Sequence, residues 1–140
     1  LGRSQLKKLD HFRHKRQMLF SRYAALLAPL NPHITLIKQT PSKPCWHLAV
    51  VLINFAALGL SRIALVSELK ERGIGTQVHY FPIHKQPYYK NLYGELNLPG
   101  AEGYYAHALS LPLYPSMSEA DVEQIVNALT DIIGIKVSTS

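Results

Sequence analysis

Apolar residues at helical spacing mark both ends of this chain. From Ser4 to Leu27 they recur in steps of three and four residues, which predicts one long amphipathic helix that ends before Pro29. A second stripe follows Ser118, which has an acidic residue three positions later and so the spacing of a capping box. The members of this stripe are Val122, Ile125, Val126, Leu129, Ile132 and Ile133. Each helix presents one apolar face, so we expect both to pack on a common core.

The middle of the chain alternates between strand-like and helix-like segments. Leu48–Ile53 is a continuous apolar run rich in β-branched residues, as in a central strand that is buried on both faces. Ser61 is a suitable N-cap for a helix that Gly73 ends in the left-handed conformation. Another helix is predicted near Ala101–Leu109, and Ser110–Pro115 fits a short edge strand because an edge tolerates proline. These elements predict an α+β fold.

The segment Gly73–Tyr89 combines a strand-like pattern with polar side chains. Read as a strand, Ile74–Phe81 alternates between two faces. One face holds Ile74, Thr76, Val78 and Tyr80, and the other holds Gly75, Gln77, His79 and Phe81. Pro82 and Pro87 cannot donate to a sheet, so a rigid loop is expected for the residues between them, which include His84, Lys85 and Gln86. Polar groups beside a tyrosine-rich loop predict a small-molecule or subunit surface.

Composition limits the class of protein. The chain has 140 residues, of which 47% are hydrophobic, so it is long enough for one domain with a substantial core. It has no apolar run of about 18 residues, so no transmembrane helix and no membrane partner are expected. The single Cys45 excludes an internal disulfide framework and favours a reducing, cytoplasmic location. The chain begins at Leu1 in a helical pattern, so we expect further sequence before it.

Positive charge is concentrated near the N-terminus. The formal net charge is +6, and residues 1–30 carry seven Lys or Arg residues against one acid, Asp10. This asymmetry favours a solvated helix face, or a face that meets an acidic neighbouring domain. A nucleic-acid partner is not expected, because no aromatic residues alternate with the basic ones. A non-catalytic interaction module that uses this helix stays open as an alternative function.

The histidines and the cysteine give weak signals for a metal or a nucleophile. His79 and His84 are five residues apart, but no cysteine or carboxylate lies near them along the chain, so no metal site is predicted. Cys45, beside a tryptophan, is interpreted as a small buried residue, because neither a base nor an electropositive setting can be named for it.

Glycines and tyrosines leave the ligand open. Gly73–Gly75 precedes a predicted strand, whereas phosphate-binding loops of the nucleotide-binding type precede a helix. The pairs Tyr88–Tyr89 and Tyr104–Tyr105 fit either packing or a binding site. The residues alone therefore predict an α+β domain of a larger protein with a small-molecule or subunit surface around Gln77–Tyr89.

Ordered motifs cover nearly the whole chain: Ser4–Leu9, Trp46–Leu48, Ser61–Arg62, Arg72–Tyr80, Gln86–Tyr89, Ala101–Glu102 with Tyr104–Tyr105, Ser110–Pro115 and Met117–Ser118. In this order they resemble the C-terminal third of the DegT/DnrJ/StrS aminotransferases. The resemblance is greatest to nucleotide-sugar members that aminate a UDP-linked 4-keto-6-deoxy-N-acetylhexosamine, as in pseudaminic acid biosynthesis. Dehydratase and regulatory relatives of the same family are the alternative.

This resemblance implies a homodimeric enzyme that uses pyridoxal 5′-phosphate, with glutamate as the usual amino donor. It implies the small C-terminal domain of a fold-type I aminotransferase, with a short, mostly antiparallel sheet and helices on one side. Residues 1–30 would form the helix that links from the large domain, and residues 31–140 the small domain. The family's Schiff-base lysine and the aspartate under the pyridine nitrogen lie upstream, so this chain is expected to hold no catalytic residue and to be inactive alone.

The resemblance also implies which residues bind substrate. The nucleotide-sugar pocket is expected to receive Gln77, Val78, His79, Tyr80, His84 and Tyr88, with hydrogen bonds from Gln77 and His79. Two positions depart from the family pattern. Ala49 stands where many relatives carry tyrosine, and Asn97 where an acid is common. Both departures concern the identity of the sugar more than the reaction.

Overall fold

A three-stranded antiparallel sheet organises the chain. The structure, a computed structural model, describes residues 2–37 and 44–135. Strands β1 (Ile34–Leu36), β2 (Ala49–Ile53) and β3 (Ala108–Leu111) pair in the order β1-β2-β3. Val51 lies opposite Leu36 on one side and Leu109 on the other. The predicted α+β fold with a short antiparallel sheet is confirmed.

One face of this sheet forms the core. The pleat directs every second residue to that face, and these residues are buried: Ile34, Leu36, Ala49, Val51, Ile53, Leu109 and Leu111. On the opposite face Val50 and Leu52 are half-buried. The run Leu48–Ile53 therefore does form the central strand, but its second face is only partly covered in this chain.

The N-terminal helix predicted for Ser4–Leu27 is divided in two. Helix α1 covers Gly2–Leu6 and helix α2 covers Leu9–Leu27, with a turn between them. Only the second half of α2 is buried, from Leu19 onwards, whereas Leu6 is 69% exposed. Helices in proteins gain most of their stability from packing. The apolar stripe finds a described partner only along that second half.

Side-chain contacts of Arg22 and Tyr23 attach α2 to the C-terminal part of the chain. Helix α6 covers Glu119–Ile133, and Arg22 Nη2 of α2 donates to Glu123 Oε1 at 2.5 Å. Tyr23 is buried, and its hydroxyl donates to the Pro112 carbonyl at 2.9 Å. Burial raises the pKa of the Tyr23 phenol, so the hydroxyl remains a hydrogen-bond donor.

Helix α3 follows its prediction, whereas the boundary between α5 and β3 lies earlier than predicted: Ala108 and Leu109 belong to the edge strand β3, which ends at Leu111 and not at Pro115. Helix α3 covers Arg62–Glu71, and the hydroxyl of its N-cap, Ser61, accepts from the Ala64 N–H at 3.1 Å. Gly73 has φ 77° after the helix, the left-handed conformation that glycine adopts without a Cβ penalty. Helix α5 covers Pro99–His107 and leads directly into β3.

The predictions for residues 31–44 and 74–89 are partly wrong. The prolines of residues 31–44 predict an irregular connection, yet β1 lies within it; residues 38–43 lie outside the described part. Ile74–Phe81 is not a strand, since only Gln77 pairs, in an isolated antiparallel bridge with Ser110. The expected alternation also fails. Ile74 and Tyr80 should share one face, but Ile74 is buried and Tyr80 is exposed.

The loop predicted between Pro82 and Pro87 is a short 3₁₀ helix, Ile83–Lys85, which we call the 83–85 turn. Helix α4 (Pro87–Tyr93) follows it, so Tyr88 and Tyr89 lie in a helix and not in a loop. Pro87 stands in the first turn of α4, where its missing N–H costs no hydrogen bond and its φ suits a helix. Proline therefore begins a helix here and does not prolong the loop.

None of the helices that the structure describes is both long and apolar enough to cross a lipid bilayer.

The capping box of α6 is formed as predicted. The Ser118 hydroxyl accepts from the Asp121 N–H at 3.2 Å, and the Asp121 carboxylate accepts from the Ser118 N–H at 2.7 Å. These two hydrogen bonds satisfy two N–H groups that the helix leaves unpaired. The Ser118 hydroxyl also donates to the Asp121 carboxylate at 2.9 Å, and the bonds that this carboxylate accepts from the Ser118 N–H and hydroxyl lower its pKa.

We expect Ser118→Ala to lower the free energy of unfolding of the chain by about 0.5–2 kcal/mol, because it removes this cap. Chemical denaturation followed by circular dichroism measures the change. Ser116→Ala is the matched control, since Ser116 is exposed and caps no helix, and we expect it to change stability by less than about 0.5 kcal/mol. Equal losses for both variants would contradict the capping role.

Candidate functional site

Gln77 lies beside the outer edge of β3. Its N–H donates to the Ser110 carbonyl at 3.1 Å, and the Ser110 N–H donates to the Gln77 carbonyl at 2.8 Å. This pair fixes the Gln77 backbone against the sheet while the Gln77 side chain is exposed. A side-chain amide can both donate and accept hydrogen bonds, so Gln77 is placed to bind a polar ligand.

His79 is held by the same serine. Its Nδ1 lies 2.8 Å from the Ser110 hydroxyl, which is buried. The His79 ring also meets the Tyr80 ring edge-on, with centroids 4.7 Å apart, and the peptide bond between these two residues is cis. Because Nδ1 is engaged by Ser110, the ring has Nε2 left to offer to a ligand. Gln77, His79 and Tyr80 thus form one polar and aromatic surface around Ser110.

An aromatic stack supports the next part of the segment. Phe81 contacts Tyr105 of α5 edge-on, with ring centroids 5.5 Å apart. The Arg62 guanidinium lies over the same Tyr105 ring, 4.6 Å from its centroid, and also donates to the Tyr105 carbonyl. A cation over an aromatic face is attractive, so Arg62 attaches α5 to the start of α3. Tyr105 therefore packs between Arg62 and Phe81.

Glu102 of α5 holds the 83–85 turn. His84 Nε2 lies 3.2 Å from Glu102 Oε1, and Lys85 Nζ donates to Glu102 Oε2 at 2.6 Å. The Leu98 N–H also donates to Oε1, at 3.4 Å. The His84 side chain is only 7% exposed, and the Glu102 side chain is 30% exposed. Both carboxylate oxygens are therefore used, and His84 faces α5.

These partners change the acidity of Glu102. The hydrogen bond from Lys85 and then that from His84 lower the pKa of the Glu102 carboxyl from 4.5 to about 2. Partial burial opposes this shift, but the hydrogen bonds to the ionised form outweigh it. Glu102 is therefore an anion throughout the neutral and mildly acidic range.

The tyrosine-rich region beyond the turn is exposed. Tyr88 in α4 is 69% exposed and meets Tyr89 edge-on, with centroids 5.2 Å apart. Helix α4 contains no buried residue, and Lys90 pairs with the exposed Glu95 at 2.5 Å. Large apolar side chains are usually covered. The aromatic residues of this region are therefore available to a ligand or to another protein surface.

The six residues expected at the substrate pocket occupy three different environments. Gln77, Tyr80 and Tyr88 are exposed, and His79 is half-exposed beside Ser110. Val78 is half-buried against the core, so its side chain supports this surface from behind. His84 is buried and pairs with Glu102, so its imidazole does not face the exposed surface. The structure brings Gln77, His79 and Tyr80 together and places His84 and Tyr88 on the segment that follows.

Ser110 and Glu102 carry contacts that the residue pattern did not predict. They lie 31 and 18 residues from the histidines that they hold, with at least one helix between. No local spacing signals such pairs. The one available signal for Glu102 is that no other acid stands between Glu95 and Glu119.

Cys45 and the histidines are the remaining candidates for a reactive or metal-binding group. Cys45 is exposed, so its interpretation as a small buried residue is wrong: the backbone leading into β2 does not turn this side chain into the core. Within residues 2–37 and 44–135, no three histidine, cysteine, aspartate or glutamate side chains are grouped as metal ligands.

The two lysines of the 83–93 region are engaged in ion pairs. Lys85 pairs with Glu102 at 2.6 Å and Lys90 pairs with Glu95 at 2.5 Å. Covalent attachment of pyridoxal phosphate needs a free lysine amine, so neither of these two lysines is placed to attach that cofactor.

Comparison with known proteins identifies the family. Residues 1–130 match the DegT/DnrJ/EryC1/StrS aminotransferase family, and the protein therefore belongs to it. SpsC of Bacillus subtilis (strain 168), a spore coat polysaccharide biosynthesis protein, is 38% identical over 136 residues, which are 95% of this chain and 35% of SpsC. The family resemblance of the sequence motifs is confirmed.

Two solved structures support the same assignment. PseC of Helicobacter pylori, an aminotransferase involved in the biosynthesis of pseudoaminic acid, is 28% identical with a TM-score of 0.81, over 95% of this chain and 36% of PseC. The PLP form of Spr1654 from Streptococcus pneumoniae, assigned as a sugar aminotransferase, is 26% identical with a TM-score of 0.84, over 95% of this chain and 34% of Spr1654. The chain thus spans about a third of the length of these relatives.

The lowered pKa of Glu102 predicts how stability depends on pH. Because its folded pKa is below its ordinary value, the Glu102 contacts stabilise the fold above pH 4.5 and lose this effect as the pH falls towards 2. Glu102→Gln should therefore lower the melting temperature at about pH 6 and by a smaller amount at about pH 3. Differential scanning calorimetry of the chain at both pH values measures this.

Glu68→Gln is the control for that experiment. Glu68 is exposed on α3 and makes no ion pair with another described residue. We expect its effect on the melting temperature to be the same at both pH values. A Glu102→Gln effect that did not shrink on acidification would contradict the assigned contacts.

Proposed function

We propose that the full-length protein is a pyridoxal phosphate-dependent aminotransferase that acts on a nucleotide sugar. The observation that carries this proposal is the family match over residues 1–130. SpsC takes part in spore coat polysaccharide biosynthesis, PseC is an aminotransferase of pseudoaminic acid biosynthesis, and Spr1654, assigned as a sugar aminotransferase, is known in a PLP form. When bound, the cofactor supplies the electron sink for amino-group transfer.

We propose that this chain is the small domain of that enzyme and that residues 1–30, which include α1 and α2, link it to a large domain. The large domain would hold the cofactor and its lysine. The exposed apolar residues at the start of the chain, such as Leu6 and Leu9, support this assignment because a neighbouring domain would cover them. The chain alone is then inactive, since it lacks the group that attaches the cofactor.

The role proposed for this chain is to form one wall of the nucleotide-sugar pocket. The Gln77 amide suits sugar hydroxyls, and the Nε2 atom of His79 suits a hydroxyl or phosphate oxygen. The exposed rings of Tyr80 and Tyr88 suit the apolar face of a sugar or a base. Val78 supports this wall from the core, and His84 supports it through Glu102, rather than by direct contact.

The finer assignment rests on the sequence motifs. We propose a UDP-linked 4-keto-6-deoxy-N-acetylhexosamine as the acceptor, glutamate as the amino donor and a homodimer as the assembly. PseC, whose description names pseudoaminic acid biosynthesis, favours this acceptor, whereas SpsC belongs to spore coat polysaccharide biosynthesis. The lone cysteine favours a cytoplasmic location.

Cofactor binding should distinguish the full-length protein from this chain alone. Purified with pyridoxal phosphate, the full-length protein should show the visible absorbance of the covalently bound cofactor, and residues 1–140 alone should not. Absorbance spectra after gel filtration measure this difference. If this chain alone retained the visible absorbance, the assignment of the cofactor to residues outside it would be wrong.

Gln77 and His79 should contribute to the affinity for the nucleotide sugar. In the full-length enzyme, Gln77→Ala and His79→Ala should each raise KM for the nucleotide sugar by about 2- to 10-fold, the value of one hydrogen bond. Cofactor absorbance should stay unchanged. Steady-state kinetics with varied nucleotide sugar measure KM, and Gln124→Ala, which changes an exposed glutamine of α6, is the matched control. Loss of cofactor absorbance in either variant would contradict this division of roles.

A further inference from the structure

Glu102 is the central group of a small ionic cluster behind the proposed wall. Its two oxygens join His84 at 3.2 Å and Lys85 at 2.6 Å, and Oε1 also accepts from the Leu98 N–H. The cluster connects α5, which leads into β3, with the 83–85 turn. Among the described residues, these two ion pairs of Glu102 join α5 to this turn.

The 83–85 turn has few other attachments to the domain. Ile83 is 63% exposed, and the residues of α4 that follow include no buried side chain. Before the turn, the segment is held at Gln77 and His79 by Ser110 and at Phe81 by Tyr105. The position of Tyr88 in α4 therefore depends mainly on how the turn is held.

We infer that Glu102 is a positioning residue for the nucleotide-sugar pocket, which fixes the 83–85 turn through His84 and Lys85 and thereby orients Tyr88. This inference rests on the proposed function. Glu102 does not touch the substrate surface itself, because its carboxylate faces the turn. His84, which the sequence motifs suggested as a substrate contact, acts as its buried partner.

A second ion pair in the same region provides a natural contrast. Glu95 pairs with Lys90 at 2.5 Å, but the Glu95 side chain is 81% exposed and holds only the end of α4. Exposed pairs contribute little because water screens them and both side chains must be ordered. The Glu102 cluster differs in that one partner, His84, is almost fully buried and all three contacts converge on one carboxylate.

The test uses the full-length enzyme with Glu102→Gln, which keeps the side-chain shape and removes the charge. KM for the nucleotide sugar should rise by about tenfold while kcat changes by less than about twofold. The reason is that a displaced wall weakens substrate binding and leaves the reacting groups unchanged. Cofactor absorbance and the amount of folded protein should stay unchanged. Glu95→Gln is the matched control and should leave KM unchanged.

A double-mutant comparison with Tyr88→Ala distinguishes a positioning role of Glu102 from a general loss of stability. Tyr88→Ala should raise KM in the wild-type enzyme, but it should add much less in the Glu102→Gln background, since the tyrosine is already misplaced there. Hydrogen exchange of residues 83–93, measured by mass spectrometry, should be faster in Glu102→Gln and unchanged in Glu95→Gln. A variant that merely lowered stability would reduce folded protein without this local pattern.

Three outcomes would overturn the inference: an unchanged KM in Glu102→Gln, an equal rise in Glu95→Gln, or additive effects of Glu102→Gln and Tyr88→Ala. If the full-length protein failed to aminate any nucleotide sugar, the proposed function would fail. Hydrogen exchange would then still decide whether Glu102 holds the 83–85 turn. Glu102→Asp keeps the charge on a shorter side chain. Its KM should therefore lie between that of the wild-type enzyme and that of Glu102→Gln.

Discussion

The antiparallel pairing of β2 with β3 is the constraint on which the rest of this structure depends. It places Val51 between Leu36 and Leu109 on the core face and Val50 opposite Ser110 on the other face. In an antiparallel ladder, the N–H and C=O groups of one residue point to the same side. At Ser110 both point away from β2, so the outer edge of β3 presents them to Gln77. The candidate site is built on that edge.

From this edge outward, the site is held by progressively fewer contacts. Ser110 holds Gln77 through the backbone and His79 through its hydroxyl, and Tyr105 holds Phe81 by aromatic contact. Beyond these, the Glu102 cluster holds the 83–85 turn, and α4 has no buried side chain. A rigid base with a less constrained outer part suits a binding wall, since binding residues commonly lie on loops that a stable scaffold positions. It also explains why one carboxylate in α5 affects residues several positions away.

Much of the fold follows from local sequence patterns. The central strand within Leu48–Ile53, the helix cap at Ser61, the left-handed Gly73 and the capping box at Ser118 are all present, because each depends on neighbours within a few residues. The predictions fail where distant contacts decide. The helix predicted from Ser4 is divided, and the apolar residues Leu6 and Leu9 in its first half are exposed. Ile74–Phe81 forms one bridge instead of a strand, because only Gln77 meets the edge of β3.

The sequence by itself determined the class of fold, the family and the segment that carries the polar residues, because these depend on periodicity and on ordered motifs. Only the tertiary structure decided what each polar residue does. Gln77 and His79 remain at the surface because β3 supplies Ser110 behind them, whereas His84 is directed inward because α5 places Glu102 within hydrogen-bond distance. These partners lie 31 and 18 residues from the histidines that they contact, and no spacing rule connects them. A histidine's environment is set by the groups that folding brings to it.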